Sequence, residues 1–368
     1  MNKKNVLFLD HAIEMGGAEH SLYYLIKFIN KQHIKPILMA PSKSKLANMV
    51  NKLGEKVSYN EMDSPKGVLS FLRNIFKIKK YMRENSIEVI YCNTYRTIIY
   101  GVMLKLVTSC KVVWHVRDFY NNNLLKSIYS TFSNKIICIS NPIAEQFREK
   151  DSGKISVIYN GVDLEKYNSK QVPGDLKQEL GLPVETLLIG MVGRIDRWKG
   201  IHLLIEAANY LVNDLNKKEF VFIIVGASIL TDDQSYPNEL KEMVQTFNLS
   251  KNVVFVGQRS DIPNVMKSFD LTVNYSDNEP FGRVIIESLA MGTPVVVNNT
   301  GGAPEIIENV GYGRITKGRD AMLLANAILE ETSKEVDEVE KRKLMNKVKT
   351  LYDANIPSTK VSEIIKLL

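Results

Sequence analysis

The stretch LLIGMVGRIDRWKGIHLLIEAANYLV, residues 187–212, shows the unit from which most of this chain is built. Its first part, 187–192, is an apolar run of the length of a buried strand, and a basic loop with a glycine follows. From residue 200 to 212 the apolar positions recur with helical spacing. Strand, loop and helix in this order are typical of proteins with parallel sheets.

Similar patterns fill both halves of the chain. In the first half they predict strands over residues 5–10, 34–40, 89–92, 111–115, 135–139 and 157–159, and helices over 18–30 and 70–84. In the second half they predict strands over 187–192, 220–225, 253–256, 271–274 and 294–298, and helices over 200–212, 238–247, 283–291, 320–353 and 359–368. Two successive alternations predict an α/β protein with two Rossmann-like domains facing across a cleft.

The domain boundary is predicted after a turn at residues 160–163, Asn-Gly-Val-Asp. The segment that follows, 167–183, is polar and contains two prolines and two glycines. We therefore expect a first domain over residues 1–165, a linker over 166–186 and a second domain over 187–353. A C-terminal helix over 354–368 is expected to return to the first domain.

Charge is distributed unevenly between these domains. Residues 1–165 contain 24 lysines and arginines against 14 aspartates and glutamates, and the remaining residues contain 24 against 27. A basic domain beside a mildly acidic one indicates an anionic partner for the first. Because helix-turn-helix, zinc and RNA-binding signatures are absent, no nucleic acid is expected, and an anionic membrane surface is the better candidate.

The expected location is the cytoplasm. No apolar run approaches the roughly 18 residues that would span a membrane, and the apolar stretch after Lys4 is too short for a signal peptide. Cys92, Cys110 and Cys138 lie among apolar neighbours, so they are expected to be buried and reduced rather than bound to a metal.

The strongest candidate for a functional site is EPFGRVIIE, residues 279–287, which joins a predicted strand to a helix. Gly282 permits close approach of backbone amides to a ligand, and the helix that follows begins with its positive end. The carboxylates of Glu279 and Glu287 can each accept two hydrogen bonds from neighbouring sugar hydroxyls. Two surface glutamates near a helix terminus would give the same pattern, so the motif alone leaves both interpretations open.

Three other loops at predicted strand ends carry glycine and charge. In the loop at 193–200, Arg194 and Lys199 are close enough to reach one diphosphate, although a solvated basic loop would have the same sequence. The two remaining loops have a glycine pair followed by a glutamate: Gly16, Gly17 and Glu19, and Gly301, Gly302 and Glu305. Ligands of open parallel sheets bind beyond the carboxyl ends of the strands, so the four loops together predict a ligand site.

With these motifs and the turn at 160–163, the chain resembles the retaining GT-B glycosyltransferases of family four. This family includes mannosyl-, glucosyl- and N-acetylglucosaminyltransferases of bacterial surface polysaccharides and glycolipids. The resemblance covers nearly the full chain. The spacing of Glu279 and Glu287 together with Arg194 and Lys199 is its most specific part.

The resemblance implies a role for each motif. Arg194 and Lys199 would hold the donor diphosphate and stabilise the leaving group, and Glu279 would lie at the transferred sugar. Glu287 would bind the ribose hydroxyls, and His115 would lie beside the reacting sugar unless it is a core histidine. The other donor-binding residues would be Gly16, Gly17, Gly193, Gly282, Arg283 and Val284, with Gly257 and Arg259 near the base. Further residues expected in the cleft are Glu19, Arg117, Asp118, Asn160, Gly301, Gly302 and Glu305.

The expected chemistry needs no metal ion and no cofactor. The sequence has no Asp-x-Asp pair and no cluster of histidines and cysteines, so cations would stabilise the diphosphate instead. Enzymes of this family are thought to retain the anomeric configuration by same-face attack, with the phosphate taking the acceptor proton. The expected reaction moves a hexose or N-acetylhexosamine from a nucleotide sugar, UDP-linked by preference and GDP-linked next, to a glycan or lipid-linked acceptor in bacterial surface polysaccharide synthesis.

Two other classes of protein are alternatives to this interpretation. A NAD-dependent oxidoreductase would carry Gly-x-Gly-x-x-Gly after the first strand, whereas residues 15–20 read MGGAEH. A catalytically inactive two-lobed protein that binds nucleotide sugars or a partner remains an alternative, although such a protein would be expected to have lost a motif glutamate or cation, and all four are present.

The segment KGVLSFLRNIFKIKKYMR, residues 66–83, is rich in apolar and basic residues. On a helix, one face is mostly apolar and carries Val68, Leu69, Leu72, Ile75, Phe76 and Lys79. The cations Arg73, Lys77 and Lys80 lie beside or opposite that face. A domain helix packed on the sheet would show this pattern. So would a peripheral, salt-sensitive contact with the inner membrane face, to which the aromatic residues within 119–135 would contribute.

Overall fold

A computed structural model describes residues 3–62, 67–228, 235–335 and 337–368 of the chain. Lys66, at the start of the basic and apolar segment, lies outside the described residues. The chain forms two compact units, Met1–Gly161 with Tyr352–Leu368 and Val162–Leu351. Each unit contains one parallel sheet covered by helices.

The first unit has a seven-stranded sheet. Its strands are β1 (Lys4–Leu9), β2 (Ile34–Ala40), β3 (Lys56–Tyr59), β4 (Ile87–Cys92), β5 (Lys111–Val116), β6 (Lys135–Cys138) and β7 (Ile155–Val157). Their order in the sheet is β3-β2-β1-β4-β5-β6-β7. The helices are α1 (Gly17–Phe28), α2 (Lys45–Lys52), α3 (Val68–Glu84), α4 (Tyr95–Val107), α5 (Asn123–Phe132) and α6 (Asn141–Glu145), with a 3-10 helix at Glu149–Lys154.

Burial on both faces explains why the central strands of this sheet are continuous apolar runs. In β1, the four side chains from Val6 to Leu9 are fully buried. Val6 and Phe8 pack with Leu22 and Ile26 of α1. Parallel strands covered on both faces cannot alternate polar and apolar residues, so a short, uniformly apolar run was a reliable signal here.

The second unit has a six-stranded parallel sheet. Its strands are β8 (Leu187–Val192), β9 (Phe220–Val225), β10 (Val253–Gly257), β11 (Leu271–Asn274), β12 (Val295–Val297) and β13 (Arg314–Ile315), in the order β10-β9-β8-β11-β12-β13. The helices are α7 (Leu176–Glu179), α8 (Ile201–Asn209), α9 (Ser235–Thr246), α10 (Ile262–Lys267), α11 (Arg283–Ala290), α12 (Ala303–Val310), α13 (Ala321–Thr332) and α14 (Glu338–Tyr352). A 3-10 turn (Arg197–Lys199) precedes α8, and a π-helical turn (Tyr210–Asp214) follows it.

The last helix, α15 (Asn355–Lys366), is part of the first unit. Val361 and Ile365 are buried in the same core as Leu22 of α1. The amino group of Lys4 donates a hydrogen bond to the carbonyl oxygen of Lys366 at 3.1 Å. The chain end is therefore attached to the first sheet by apolar packing and by a hydrogen bond to its first strand.

The two parallel sheets confirm the predicted α/β fold with two Rossmann-like domains, but several details differ. The short edge strands β3 and β13 were not predicted, because neither carries a buried apolar run. The units divide between residues 161 and 162. The segment expected to be a linker, 166–186, belongs to the second unit, where Leu176 is fully buried and its amide donates to Oγ of Ser268 at 3.1 Å.

Helix α3 contacts the sheet with a different face from the expected one. Ile75, Ile78 and Met82 are its buried residues. The apolar side chains of Val68, Leu69 and Phe76 are 74%, 81% and 64% exposed instead. Successive residues of a helix are separated by about 100°, and this rotation places the exposed set on the face adjoining the buried one.

Candidate functional site

The side chains of Lys199 and Glu279 form an ion pair in the second unit, with Nζ of Lys199 2.7 Å from Oε2 of Glu279. Lys199 ends the 3-10 turn after β8, and Glu279 lies in the loop between β11 and α11. The two side chains are only 18% and 10% exposed. The pair therefore places one cation and one carboxylate, both partly removed from water, at the carboxyl ends of two neighbouring strands.

The loop after β12 fixes the backbone of Glu279. Gly301 has a φ of +68°, and a Cβ atom at this position would lie 2.2 Å from the carbonyl oxygen of Glu279. The amide of Gly302 donates to the same oxygen at 2.7 Å. Only glycine permits such an approach, so the predicted glycine pair positions Glu279. Glu305 follows in the first turn of α12.

Helix α11 begins at the same loop. Gly282 precedes it with a φ of +92°, the left-handed conformation that favours glycine. One turn along, Arg283 and Glu287 form an ion pair in which Nη2 lies 2.7 Å from Oε1, and both side chains are mostly buried. Val284, the residue after Arg283, is half-buried. A carboxylate held in this way through one oxygen presents the other as an acceptor in a fixed position.

Arg194 lies at the end of β8, immediately after Gly193. Arg194 and Lys199 line the same small pocket, of about 10 Å³. Arg194 has no hydrogen bond or ion pair with any residue that the structure describes. An arginine without a protein partner beside a lysine is well suited to binding the oxygens of a diphosphate.

Sequence reasoning missed two residues that shape these loops. A Cβ atom on Gly226, at the end of β9, would lie 1.8 Å from the carbonyl oxygen of Gly193, so the two strand ends are in direct backbone contact. Arg319 donates through Nε to the carbonyl oxygen of Tyr275 at 3.1 Å and through Nη2 to that of Trp198 at 3.3 Å. Gly226 could have been predicted from the sequence, because it directly follows a predicted strand. No local sequence pattern indicates the role of Arg319.

Arg259 is engaged by acidic residues of its own unit. Its Nη1 and Nη2 lie 2.5 and 2.9 Å from the two carboxylate oxygens of Glu179, and Nε lies 2.9 Å from Oδ1 of Asp261. These hydrogen bonds raise the pKa of the Arg259 guanidinium. Gly257, which is also expected near the nucleotide base, has a φ of +69° and open space around it. Arg259, in contrast, is already bound by two carboxylates.

Arg117 is the centre of a buried polar network at the carboxyl edge of the first sheet. Nε donates to Oδ1 of Asn93 at 2.7 Å, and Nη1 donates to Oδ1 of Asn160 at 2.9 Å. The side-chain amide of Asn93 in turn donates to Oδ2 of Asp10 at 2.7 Å. Buried charges are tolerated only with such partners, so the network holds the ends of four strands in one arrangement. Asp10 and Asn93 were not identified from the sequence.

His115 is buried within the first unit. Its Nδ1 lies 2.5 Å from the hydroxyl of Tyr91 and 3.2 Å from Nη2 of Arg117. Two donors at Nδ1 place the ring proton on Nε2. Burial, together with the positive charge of Arg117, lowers the pKa of His115 well below 6.5. Nε2 has no hydrogen-bond partner among the described residues.

The surroundings of His115 leave both interpretations open, because the ring is buried but its Nε2 lacks a hydrogen-bond partner among the described residues. It lines a pocket of about 20 Å³ together with residues of α1 and α15, for example Tyr24 and Pro357. The ring is neutral and enclosed by the packing of its own unit. Asp118, three residues further along, is exposed on the loop after β5.

The glycine pair after β1 forms the start of α1. The amide of Gly16 donates to Oε2 of Glu19 at 2.8 Å, and Gly17 is the first residue of the helix. Burial raises the pKa of Glu19 to about 7, and the nearby charge of Asp10 contributes to the rise. Glu19 therefore holds the loop after β1 through a carboxyl group that titrates near neutral pH.

Within the described ranges 3–62, 67–228, 235–335 and 337–368, no three side chains of histidine, cysteine, aspartate or glutamate are placed to hold one metal ion. None of the helices in these ranges is long and apolar enough to cross a membrane. The three cysteines are buried and form no disulfide, as expected.

Two family models match this chain and together cover most of it. Glycosyltransferase Family 4 matches residues 15–166, which include Gly16 and Arg117. Glycosyl transferases group 1 matches residues 174–349, which include Lys199, Glu279 and Glu287. The chain therefore belongs to the family-four glycosyltransferases, as its motifs indicated.

Individual relatives agree with this assignment. The UDP-Gal:alpha-D-GlcNAc-diphosphoundecaprenol alpha-1,3-galactosyltransferase of Escherichia coli is 29% identical over 294 residues, 75% of this chain and 74% of that protein. The D-inositol 3-phosphate glycosyltransferase of Corynebacterium urealyticum is 28% identical over 188 residues, 50% of this chain and 44% of that protein.

Solved structures show the same fold. HepE of Anabaena, crystallised with UDP and glucose, has a TM-score of 0.84 to this chain at 26% identity, with 99% of both chains covered. A glycosyltransferase from Rickettsia africae has a TM-score of 0.88 at 22% identity, covering 100% of this chain and 99% of that one. The protein thus has the fold of the GT-B glycosyltransferases.

Proposed function

We propose that this glycosyltransferase moves a sugar from a UDP-sugar to a lipid-linked glycan, with retention of the anomeric configuration and without a metal ion. The observation that carries the proposal is the Lys199–Glu279 ion pair beside the unpartnered Arg194. Two cations and a carboxylate are thereby placed at the strand ends where a parallel sheet binds its ligand.

Lys199 and Arg194 would bind the donor diphosphate. An ammonium group has three donors, so Lys199 can contact a phosphate oxygen and keep its hydrogen bond to Glu279. When the bond between sugar and phosphate breaks, negative charge grows on the departing UDP. Two partly buried cations stabilise that charge in the way a metal ion would, which is the basis for proposing metal independence.

Glu279 and Glu287 would bind hydroxyl groups of the donor at two places. Glu279 is anchored by Lys199 and by the Gly301–Gly302 loop, and it would accept hydrogen bonds from the transferred sugar. Glu287, held by Arg283, would accept hydrogen bonds from the ribose. HepE, which was crystallised with UDP and glucose, supports UDP as the nucleotide, and a GDP-sugar is the second choice.

Retention fits the state of these carboxylates. Each is already bound to a cation, an arrangement that suits binding of hydroxyls better than attack on a sugar carbon. We propose that the acceptor hydroxyl attacks from the face that UDP leaves, and that a donor phosphate oxygen takes its proton. The pair of free carboxylates that a glycosidase uses is then unnecessary.

The proposed acceptor is a glycan carried on a polyprenyl diphosphate, as in the Escherichia coli relative. The exposed apolar and basic side chains of α3 support a membrane-bound acceptor, since such a surface favours contact with an anionic bilayer. The protein would then act in the cytoplasm as a peripheral protein on the inner face of the plasma membrane. The sugar transferred would be a hexose or an N-acetylhexosamine.

Transfer assays with a panel of donors test the proposal. Purified protein is incubated with a synthetic GlcNAc-diphospholipid in detergent and with UDP-galactose, UDP-glucose, UDP-N-acetylglucosamine or GDP-mannose. The product is identified by mass, and its anomeric configuration by NMR. We expect one UDP-sugar to give an α-linked product. Binding of nucleotide without any transfer or donor hydrolysis would instead identify an inactive binding protein, and a β-linked product would contradict retention.

A further inference from the structure

An open pocket of about 740 Å³ lies in the first unit, at the amino ends of β1, β4 and β5. Met82, Ile87 and Val89 form its buried apolar part, and the exposed side chains of Phe76 and Val107 also line it. The same pocket is lined by five cations, Lys4, Lys79, Lys80, Arg83 and Lys111, and by one acidic residue, Glu88. It thus combines an apolar cavity with a strongly positive rim.

This pocket is separate from the candidate active site. The strands of the first sheet are parallel, so all of their amino ends lie at one edge and all of their carboxyl ends at the other. β1 has six residues and spans roughly 17 Å between those edges. The Arg117 network and the loop at Gly16 lie at the carboxyl edge. A molecule in this pocket is therefore too far from them to be the reacting end of a substrate.

Most of the rim charge is not neutralised by the protein. The side chains of Lys79, Arg83 and Lys111 have no ion pair or hydrogen bond with any residue in the described part of the chain. Lys80 lies 3.8 Å from Glu84, and both side chains are well exposed. Lys4 is the exception, because its amino group is directed to carbonyl oxygens of α15. Three cations thus lack protein partners around an apolar cavity.

The exposed face of α3 continues from this pocket. With about 100° between successive residues, Val68, Leu72 and Phe76 fall within one arc of the helix, next to the buried arc of Ile75, Ile78 and Met82. Lys79 and Arg83 lie in the same arc as Phe76. The arc therefore carries apolar and basic side chains together, and its C-terminal end forms one wall of the pocket.

We infer that the pocket binds one anionic phospholipid of a bilayer, with an acyl chain against Met82, Ile87 and Val107 and the phosphate on Lys79, Arg83 and Lys111. Charge complementarity and the apolar interior select this occupant over a free phosphate, which would leave the apolar surface exposed to water. The inference rests on the proposed membrane-bound acceptor and names the membrane component that the protein recognises.

The course of α3 makes this contact compatible with catalysis. The helix joins β3 to β4, so it runs from the carboxyl edge of the sheet to the amino edge over about 25 Å. A bilayer that contacts the pocket and the exposed arc therefore extends along α3 to the carboxyl edge. Val68 and Leu69 lie at that end, on the side where an acceptor headgroup would be used.

Vesicle flotation tests the charge requirement. Wild-type protein should float with vesicles of phosphatidylcholine mixed with phosphatidylglycerol and not with phosphatidylcholine alone. In the variant Lys79→Gln, Lys80→Gln, Arg83→Gln, Lys111→Gln, affinity for the mixed vesicles should fall by roughly six hundredfold, at about fivefold for each of the four cations. Arg342→Gln, Lys343→Gln, Lys347→Gln, Lys349→Gln, on α14, removes the same charge elsewhere and should change little. Equal flotation with both vesicle types, or equal losses in both variants, would overturn the inference.

A second variant tests whether the apolar part of the pocket is needed for lipid binding, without any change in charge. Val107→Trp fills the cavity with a larger apolar side chain and leaves the net charge unchanged, and Val184→Trp places the same residue at an exposed position of the second unit. Native mass spectrometry in detergent should show one phosphatidylglycerol bound to wild type and to Val184→Trp, and none bound to Val107→Trp. Retention of this lipid by Val107→Trp would overturn the pocket as its site.

The donor-panel assay distinguishes this inference from the proposed function. It uses acceptor dissolved in detergent and needs no bilayer, so the variant lacking four of the five rim cations should transfer sugar there at the wild-type rate. Failure of wild type in that assay would refute the proposed function. Normal transfer by wild type, together with absence of lipid binding, would refute only the lipid pocket.

Discussion

Nζ of Lys199 donates a hydrogen bond to Oε2 of Glu279 at 2.7 Å, although 80 positions separate the two residues in the sequence. The backbone of Glu279 is held at the same time by Gly302, from a third loop. Three strand–helix loops of the second unit thus meet at one glutamate. A substitution in any of them should change the position or charge of that residue.

Lys199→Ala and Arg194→Ala should each lower turnover about a hundredfold or more, because each removes one cation from the departing diphosphate. Their effects on stability should differ. Lys199→Ala leaves the largely buried Glu279 without its partner and should lower the free energy of unfolding by about 1 kcal/mol, whereas Arg194→Ala should leave it unchanged. Steady-state transfer and urea unfolding measure the two effects, with Lys251→Ala, at an exposed position, as the control.

Excess EDTA should leave transfer unchanged if these two cations replace a metal ion. The assay compares protein treated with EDTA before and after addition of magnesium. Loss of transfer on chelation, with recovery on addition of magnesium, would show that the proposed metal-independent mechanism is wrong.

Glu279→Gln and Glu287→Gln should impair different steps. Each variant replaces a charged hydrogen-bond acceptor with a neutral amide. A hydrogen bond to a charged group contributes about 1.5–3 kcal/mol. For Glu287→Gln this should weaken binding of the bare nucleotide by roughly ten- to a hundredfold. Glu279→Gln should bind UDP nearly as wild type does and should lose turnover instead. Calorimetry with UDP decides the matter: equal losses of affinity in the two variants would rule out the division of roles.

Gly301→Ala should inactivate the enzyme by displacing Glu279. The new Cβ atom would lie 2.2 Å from the carbonyl oxygen of Glu279, so one of the two backbones must move. Gly181→Ala is the matched control, since Gly181 has a similar φ of +64° with open space around it. Both variants bear the strain of a left-handed alanine, about 1–2 kcal/mol. Only Gly301→Ala should lose transfer, and equal activity in the two variants would show that the contact does not position Glu279.

The sequence predicted those features that depend on local patterns. Buried parallel strands such as β8 and β9 are continuous apolar runs, so their bounds were predicted to the residue. Gly282 and Gly301 were identified because each lies in a loop that follows a predicted strand, and both have the positive φ angles that favour glycine. The loops with Lys199 and Glu279 were brought together by the general rule that ligands bind at strand ends.

Features that depend on distant partners could not be read from the sequence. Whether His115 faces a ligand or the core depends on Tyr91 and Arg117, and neither local spacing nor composition reveals those contacts. Arg259 has the sequence context of a binding residue, but Glu179, 80 positions away, engages its guanidinium. The prediction of which face of α3 packs on the sheet was wrong for a similar reason. Two neighbouring arcs of this helix carry apolar residues, and only contact with the sheet determines which of them is buried.

The buried carboxyl group of Glu19 makes the stability of the first unit depend on pH. Burial and the charge of Asp10 raise its pKa from the ordinary 4.5 to about 7, so the folded state binds this proton more tightly than the unfolded chain does. The resulting stabilisation is complete below pH 4.5 and is lost as pH rises through about 7. The free energy of unfolding should therefore fall over this range by on the order of 2 to 3 kcal/mol.

Glu19→Gln should remove this dependence, because an amide does not titrate while its oxygen can still accept the hydrogen bond from Gly16. Relative to wild type, the variant should gain stability between pH 4.5 and about pH 7 and should keep a constant advantage at higher pH. Urea unfolding at a series of pH values measures the difference. Glu145→Gln, at an exposed position in the same unit, should follow the wild-type curve. If the curves for Glu19→Gln and wild type ran parallel, the Glu19 carboxyl group would not be the titrating group.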